Sequence, residues 1–168
     1  YELTSSGKRR AVFAGMQLVS ISNVRLYTMH PTNSFLDVDS TDGFEHLNNT
    51  SVVFKLQYGV TSFLFAGDAE IPVEEQLDEV YATFLKSDVL KAGHHGSITS
   101  SSEEFLANVH PNEVVVSVGR FNKFRHPSAK VLERFRKIGA HIHRTDEEGA
   151  IIFESDGHSI KHVNWRRD

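Results

Sequence analysis

Cysteine is absent from this chain of 168 residues, and its absence excludes several kinds of chemistry. There can be no disulfide scaffold, no cysteine-ligated zinc and no thiol nucleophile. The redox compartment stays undecided, because a cysteine-free domain is stable in either environment. Long apolar runs are absent too, and the run of Val114, Val115 and Val116 is typical of the short apolar stretches that occur. None approaches the roughly 20 residues that a membrane-spanning helix needs.

A large excess of either charge is also missing. The formal net charge is −4 at pH 7, with 39% hydrophobic and 24% charged residues. This composition predicts a single globular domain over residues 1–168, and the acidic balance argues against a broad DNA-binding face. The chain begins with Tyr1 rather than Met, so we expect a processed product or part of a longer protein.

Histidine, in contrast, is abundant, with ten residues in the chain. Histidine is the commonest metal ligand among side chains. The motifs of other chemistries are missing: there is no Walker-type phosphate loop, no dinucleotide fingerprint and no serine hydrolase elbow. The composition therefore directs attention to metal chemistry.

The hydrophobic pattern alternates between the periods of strands and helices. Predicted strands fall in the hairpin 51–66 and at 88–92, 114–118, 141–144, 150–154 and 159–163, and predicted helices at 72–85 and 127–138. This order predicts a layered α/β fold. Residues 31–48 are polar and rich in aspartate, which predicts a mobile surface loop of the kind that can act as a lid.

Three polar loops, which contain Asp68, His94 and His126, each follow a predicted strand. Loops after strand ends converge on the crevice where ligands bind in open α/β sheets. The Asp68 carboxylate at a strand end has two interpretations, a cation ligand or the N-cap of the following helix. This convergence is the main functional signal in the sequence.

The adjacent pair His94 and His95 points in opposite directions if its backbone is extended. One of them is then a metal ligand, and the other is a proton donor, a phosphate contact or a supporting group. His126 lies near a helix N-terminus, where a neutral imidazole is favoured; this suits metal ligation or a simple helix contact. His141 and His143 share a strand face that could hold a metal, although a polar outer face is the favoured interpretation.

Four motifs, taken in order, resemble the metallo-β-lactamase superfamily, and more narrowly the hydrolase-like domain of ComEC-type DNA-internalisation competence proteins. They cover about residues 48–157. The motifs are Gly67-Asp68-Ala69-Glu70, Leu90 to Ser97, Ser117-Val118-Gly119 with Asn122 and His126-Pro127, and Arg144-Thr145-Asp146 with Gly149-Ala150-Ile151.

The resemblance implies an αββα sandwich with a dinuclear metal site, in a family of metal-dependent hydrolases many of which cleave phosphodiesters. The superfamily's His-x-His-x-Asp-His cluster is missing, so we expect a domain that is incomplete on its N-terminal side. Asn49 lies where many relatives carry a histidine ligand, and an amide is a poor replacement for imidazole toward a transition metal.

Carried over residue by residue, the resemblance implies metal ligation by Asp68, His94 and His126. Catalytic roles fall to Asp68 as the bridging aspartate and to His95 as a supporting group or proton donor. Two divalent ions, zinc or manganese, are implied in the complete domain, whereas this chain alone is expected to bind them weakly or not at all. The residues expected to contact substrate are Lys91, Ser97 and Asn122.

The predicted function is thus part of a metal-dependent hydrolase, a phosphodiesterase or nuclease acting on DNA in competence-type uptake. One alternative is a non-catalytic scaffold or partner-binding module, and another is a hydrolase of a different ester. The expected partners are DNA or another phosphodiester, and a missing N-terminal half or a partner chain. We expect a soluble domain that meets a membrane only through other parts of a larger protein, with attachment to a bacterial inner-membrane protein as one possibility.

Overall fold

The computed structural model describes residues 11–32 and 44–165. Most of the predicted loop 31–48 therefore lies outside the described residues, and its last part is a 3₁₀ segment, Phe44–Thr50. Within the described residues, no helix combines the length and the apolar character needed to cross a membrane.

Nine strands and four α-helices make up the described part of the chain. The strands are β1 (Gln17–Ile21), β2 (Val24–His30), β3 (Val53–Tyr58), β4 (Thr61–Phe65), β5 (Val89–Lys91), β6 (Glu113–Val116), β7 (His141–Arg144), β8 (Ile152–Ser155) and β9 (Ile160–Val163). The helices are α1 (Ile71–Tyr81), α2 (Glu103–Val109), α3 (Ala129–Lys137) and α4 (Thr145–Glu148). Two further 3₁₀ segments are Ala82–Leu85 and Gly93–Gly96.

A seven-stranded sheet, in the order β1 to β7, forms the centre of the structure. Strands β1 to β4 are antiparallel, whereas β4 to β7 run parallel to one another. Strands β8 and β9 form a separate two-stranded antiparallel sheet. The predicted mixed α/β class is confirmed: a large sheet with helices is consistent with a metallo-β-lactamase-like fold.

One face of the sheet carries the hydrophobic core. Leu64, Leu90 and Val114 are direct neighbours across β4, β5 and β6, and each is at most 1% exposed. The buried helix residues in the same core cluster are Val73, Leu77, Phe105, Leu106, Val131 and Phe135. Full burial of a side chain of this size contributes about 1.5–3 kcal/mol, so the helices are held mainly by this face.

Side chains alternate between the two faces along each strand. The residues on the face opposite the core are apolar as well. Phe63 and Phe65 of β4 point there together with Val115 of β6, and Phe153 of β8 lines the same depression. The Phe54 and Phe65 rings stack with centroids 4.5 Å apart. Apolar side chains on both faces explain why the hairpin 51–66 is so rich in hydrophobic residues.

A buried carboxylate fixes the start of α2. Ser102 caps this helix, and its Oγ accepts a hydrogen bond from the Phe105 amide. Glu74 of α1 is 1% exposed and accepts hydrogen bonds from the amides of Ser101, at 2.5 Å, and Ser102, at 2.8 Å. Burial raises the pKa of Glu74, and these two amide donors oppose that shift.

Candidate functional site

Asp68 lies in the loop that follows β4, and its carboxylate faces the amine of Lys91 and the imidazole of His95. Its Oδ1 is 3.7 Å from Nζ of Lys91 and 3.5 Å from Nε2 of His95. The N-cap of α1 is Glu70, with no side-chain capping bond, so the helix-cap interpretation of Asp68 is not realised. Asp68 is 41% exposed and therefore accessible to a ligand from solvent.

His94 and His95 sit in the turn after β5, and both adopt left-handed backbone conformations. Their φ values are 41° and 55°. The backbone is therefore not extended at this pair, and the condition under which the two rings would point in opposite directions is not met. The rings instead lie near each other, with centroids 6.2 Å apart. Left-handed backbone is costly for a residue with a side chain and recurs at functional sites.

The ring of His95 is oriented by a backbone carbonyl. Its Nδ1 lies 2.6 Å from the carbonyl oxygen of Ser117, which can only accept, so Nδ1 carries the proton. In a neutral ring the Nε2 lone pair then faces the Asp68 carboxylate across 3.5 Å. Two electron-pair donors at this separation suit a shared cation, because zinc binds such atoms at about 2.0–2.2 Å.

The ring of His94 is oriented by a carboxylate that the sequence interpretation did not single out. Nδ1 of His94 lies 2.9 Å from Oε1 of Glu70, which also accepts from the Thr99 hydroxyl. A carboxylate on one ring nitrogen leaves the other nitrogen available to a metal. The spacing of Asp68 and Glu70 in one motif was a usable signal, but Glu70 also fits the start of a helix.

Asn49 supports the position of Glu70 through its side chain and has no place among the predicted ligands. It is 8% exposed, and its Oδ1 accepts a hydrogen bond from the Glu70 amide. Its carbonyl oxygen lies 2.7 Å from Nε2 of the buried His30. Asn49 therefore holds the segment that carries Glu70.

His126 comes from the loop after β6, and its ring centroid is 5.6 Å from that of His94. Burial lowers the pKa of His126, and the neighbouring charges of His94 and His95 lower it further. A neutral imidazole is the form that binds a metal. The predicted convergence of three loops is thus present in the structure.

The three predicted substrate contacts differ in their surroundings. Lys91 is close to Asp68, its Nζ donates to the Gly67 carbonyl at 2.5 Å, and burial lowers its pKa against the opposing charge of Asp68. Ser97 is buried, and its Oγ lies 3.0 Å from Oγ1 of Thr99. Asn122 donates to the His126 carbonyl and accepts from the His126 amide. These hydrogen bonds give Asn122 a role in positioning His126.

We call Asp68, Glu70, His94, His95 and His126 the loop cluster. Its donor set of imidazole nitrogens and carboxylate oxygens suits a divalent cation such as zinc or manganese. A cleft of about 330 Å³ opens beside it, which is the size of a small ligand site. The residues that line the cleft include His95, Ser117, Gly119, Asn122, Phe124 and His126.

The ligand atoms of the loop cluster are not fully drawn together. Among the described residues, the triplets whose ligand atoms all lie within 4.8 Å of one another occur elsewhere, around His143. They consist of Glu113, His141 and His143, and of His143, Glu148 and His162. The loop cluster therefore has suitable chemistry and orientation, but an open geometry.

Comparison with known proteins gives a family and several relatives. The model of the metallo-beta-lactamase superfamily matches residues 34–120, just over half of the chain. ComE operon protein 3 of Bacillus subtilis (strain 168) is 38% identical and competence protein ComA of Neisseria gonorrhoeae 42% identical, each over 106 residues. Recombination protein 2 of Haemophilus influenzae is 37% identical over 105 residues. These matches cover 62–63% of the chain but only 13–15% of the length of the relatives.

Proposed function

The chain belongs to the metallo-β-lactamase superfamily, and we propose that its loop cluster is part of a metal-dependent site that hydrolyses phosphodiesters. The predicted family is confirmed, as is the narrower similarity to ComEC-type competence proteins. Membership of the superfamily implies binding of divalent metal. The names of the relatives support a competence-related role, and we propose DNA as the substrate.

The observation that carries the proposal is the pairing of Asp68 with His95. The Ser117 carbonyl fixes the proton of His95 on Nδ1, so that Nε2 and the Asp68 carboxylate face each other across 3.5 Å. We assign Asp68, His94 and His126 as metal ligands. Nε2 of His95 is placed to act as a further ligand or as the proton donor to the leaving group.

A bound divalent ion would supply an activated water and would stabilise the negative charge that develops on the substrate. The chain's own residues prepare the site for this chemistry. Glu70 orients His94 through Nδ1, and Asn122 holds the backbone of His126. Burial lowers the pKa of His126, which favours the neutral ring that a metal binds.

A loop beside the cleft supports a nucleic acid as the substrate. Residues 119–127 carry Arg120, Lys123 and Arg125, whose cationic groups can contact phosphates. The same loop presents Phe121, which is 94% exposed, and Phe124, which is 67% exposed. Aromatic rings among basic side chains suit single-stranded nucleic acids, because bases stack on the rings. A local basic loop is compatible with the acidic balance of the whole chain.

The test measures metal content and hydrolysis of a fluorescent single-stranded DNA and of bis(p-nitrophenyl) phosphate, with Zn²⁺ or Mn²⁺ added. It compares the chain, alone and within a longer polypeptide that contains it, with Asp68→Asn and the control Asp156→Asn. We expect Asp68→Asn to lower hydrolysis on the order of 10²–10³-fold while the control is unaffected. Equal hydrolysis by wild type and Asp68→Asn would refute the proposal, and faster cleavage of a carboxylic ester would favour the other-ester alternative.

A second candidate function is a non-catalytic partner-binding module. The open geometry of the loop cluster favours it, because no triplet of ligand atoms within 4.8 Å forms there among the described residues. In that case, the longer polypeptide would fold normally, bind no metal at Asp68 and hydrolyse neither DNA nor the model phosphodiester. Metal-dependent cleavage that requires Asp68 eliminates this candidate.

A further inference from the structure

A second group of histidines and carboxylates lies at the β7 edge of the sheet, away from the loop cluster. We call Glu113, His143, Glu148 and His162 the edge cluster. They come from four different elements, β6, β7, α4 and β9. The ligand atoms of His143, Glu148 and His162 lie within 4.8 Å of one another. The polar outer face expected for His141 and His143 does not account for this convergence.

His143 lies between two carboxylates, one at each ring nitrogen. Its Nε2 is 2.8 Å from Oε2 of Glu113, and its Nδ1 is 3.2 Å from Oε2 of Glu148. A neutral imidazole has one N–H and can satisfy only one of these acceptors. The other nitrogen then directs a lone pair at a carboxylate, an arrangement that is favourable only with a second proton or a metal ion between them.

The distances from His143 to the two carboxylates indicate a different role for each: Glu113 accepts the ring proton, and Glu148 shares a metal ion with the ring. The 2.8 Å contact between His143 and Glu113 is an ordinary charge-assisted hydrogen bond. The 3.2 Å contact with Glu148 is close to the separation, about 3.3 Å, of two ligand atoms that each bind a tetrahedral zinc ion at 2.0 Å. A carboxylate that accepts the N–H of a metal-bound histidine is the usual outer partner of a zinc site.

His162 is the remaining member of the edge cluster, and it lies in the hairpin formed by β8 and β9, here called the terminal hairpin. Its ring centroid is 4.3 Å from that of His143, and the Phe153 ring packs against both, with centroid distances of 5.4 and 5.2 Å. His143 is only 11% exposed, whereas Glu148 is 37% exposed and His162 is exposed. The cluster thus has an ordered, buried centre and a side open to an arriving ion.

We propose that His143 through Nδ1, Glu148 and His162 bind a zinc ion, with Glu113 holding the Nε2 proton of His143. Two nitrogen ligands and one oxygen ligand with a fourth position for water are typical of zinc. This site is independent of the function proposed for the loop cluster, with which it shares no residue. Such an ion joins the terminal hairpin to β7 and α4, so its removal loosens that hairpin.

The test uses the full chain carrying Asp68→Asn and His126→Gln, so that zinc binding at the loop cluster is removed. Equilibrium dialysis with Zn²⁺ alone measures the affinity, and circular dichroism of the metal-free protein checks the fold of each variant. His162→Gln is compared with His158→Gln, which changes an exposed histidine of the same hairpin. We expect one zinc ion per chain, lost in His162→Gln, retained in His158→Gln, and bound 10–100-fold more weakly in Glu113→Gln.

Nitrogen-15 NMR of the histidine side chains gives a second readout, which does not depend on a variant that folds poorly. We expect zinc to shift Nδ1 of His143 while Nε2 keeps its proton. A shift at Nε2, or loss of zinc in His141→Gln rather than in His162→Gln, would assign the metal to the other triplet and overturn the proposal. Absence of zinc binding at micromolar concentration overturns it as well.

Discussion

In both the loop cluster and the edge cluster a carboxylate orients a histidine ring, but the two histidines stand on different kinds of backbone. In each, a carboxylate accepts from one nitrogen of a histidine ring: Glu70 for His94 and Glu113 for His143. His94 stands in a left-handed turn after a strand, whereas His143 stands in the regular strand β7. The comparison teaches that a carboxylate fixes the ring, while the backbone determines how far the ring is open to ligands.

Exposure follows from that difference. His94 of the loop cluster is 24% exposed, whereas His143 at the centre of the edge cluster is 11% exposed. A loop after a strand end can present several groups to a substrate, but a strand packs its side chains against neighbours on the sheet. We therefore expect changes in the loop cluster to affect chemistry and changes in the edge cluster to affect stability and zinc affinity.

The largest expected effect is on the free energy of unfolding. We expect the loss of the buried Glu74 carboxylate to cost far more than the loss of the half-exposed Glu148 carboxylate of the edge cluster. Glu74→Ala leaves the buried amide of Ser101 and the partly buried amide of Ser102 without their acceptor, which costs about 3 kcal/mol. Glu148→Ala removes contacts near solvent and costs under about 1 kcal/mol in the metal-free protein. Urea unfolding measures both, and equal losses would show that burial does not distinguish the regions.

The next effect concerns the two orienting carboxylates. Glu70→Gln should weaken metal binding at the loop cluster 10–100-fold, because a neutral amide oxygen accepts the His94 proton more weakly than the carboxylate does. It should leave zinc at the edge cluster unchanged, since the two clusters share no residue. Titration calorimetry on chains with one cluster disabled measures the two affinities separately. Weakening at both clusters would mean that they are one coupled site.

The smallest effect is on two pKa values. Burial and then neighbouring like charges lower the pKa of His126, whereas hydrogen bonds and an opposite charge lower the pKa of Glu148. In metal-free protein, His94→Gln should raise the pKa of His126, because a like charge disappears although the larger effect of burial remains. Burial acts to raise the pKa of Glu148, but hydrogen bonds from Arg144 and His143 and the charge of His143 outweigh it and lower the pKa. His143→Gln should therefore raise the pKa of Glu148. NMR titration measures both shifts, and a fall in either contradicts its assigned cause.

The same pKa shifts determine how stability depends on pH. The folded-state pKa of His126 lies below its ordinary value of 6.5, so the unfolded chain takes up the proton first. The stabilisation from neutral His126 is thus present above pH 6.5 and is lost as the pH falls through the folded-state pKa. Chemical unfolding between pH 7 and pH 5 should show this loss in wild type and a smaller loss in His126→Gln.

The sequence predicted the framework of the fold and the meeting of three loops. The alternation over 141–144 identified β7 with its bounds, and the polar residues after β4, β5 and β6 converge because parallel strands end at one edge of the sheet. These features depend on local pattern and on a general rule of topology, and both can be read without coordinates.

Other features were beyond the sequence because they depend on tertiary contacts. Non-glycine residues disfavour left-handed backbone, so nothing in the pattern indicated the turn at His94 and His95. The edge cluster joins residues from four elements, and no spacing in the sequence predicts that Glu113 and His162 both lie against His143. The roles of Glu70 and Asn122 as positioning residues arise in the same way, from contacts between separate loops.

The left-handed backbone of His94 and His95 determines when the energetic cost of ordering the site arises: during folding rather than on ligand binding. A left-handed residue with a side chain costs roughly 1–2 kcal/mol, and here folding bears that cost for His94 and His95 before any ligand arrives. Glycine at either position should give a more stable fold than alanine by about that amount, although both remove the imidazole. The chain therefore gives up stability in the turn so that the rings are in place before binding, and the ligand does not have to order them.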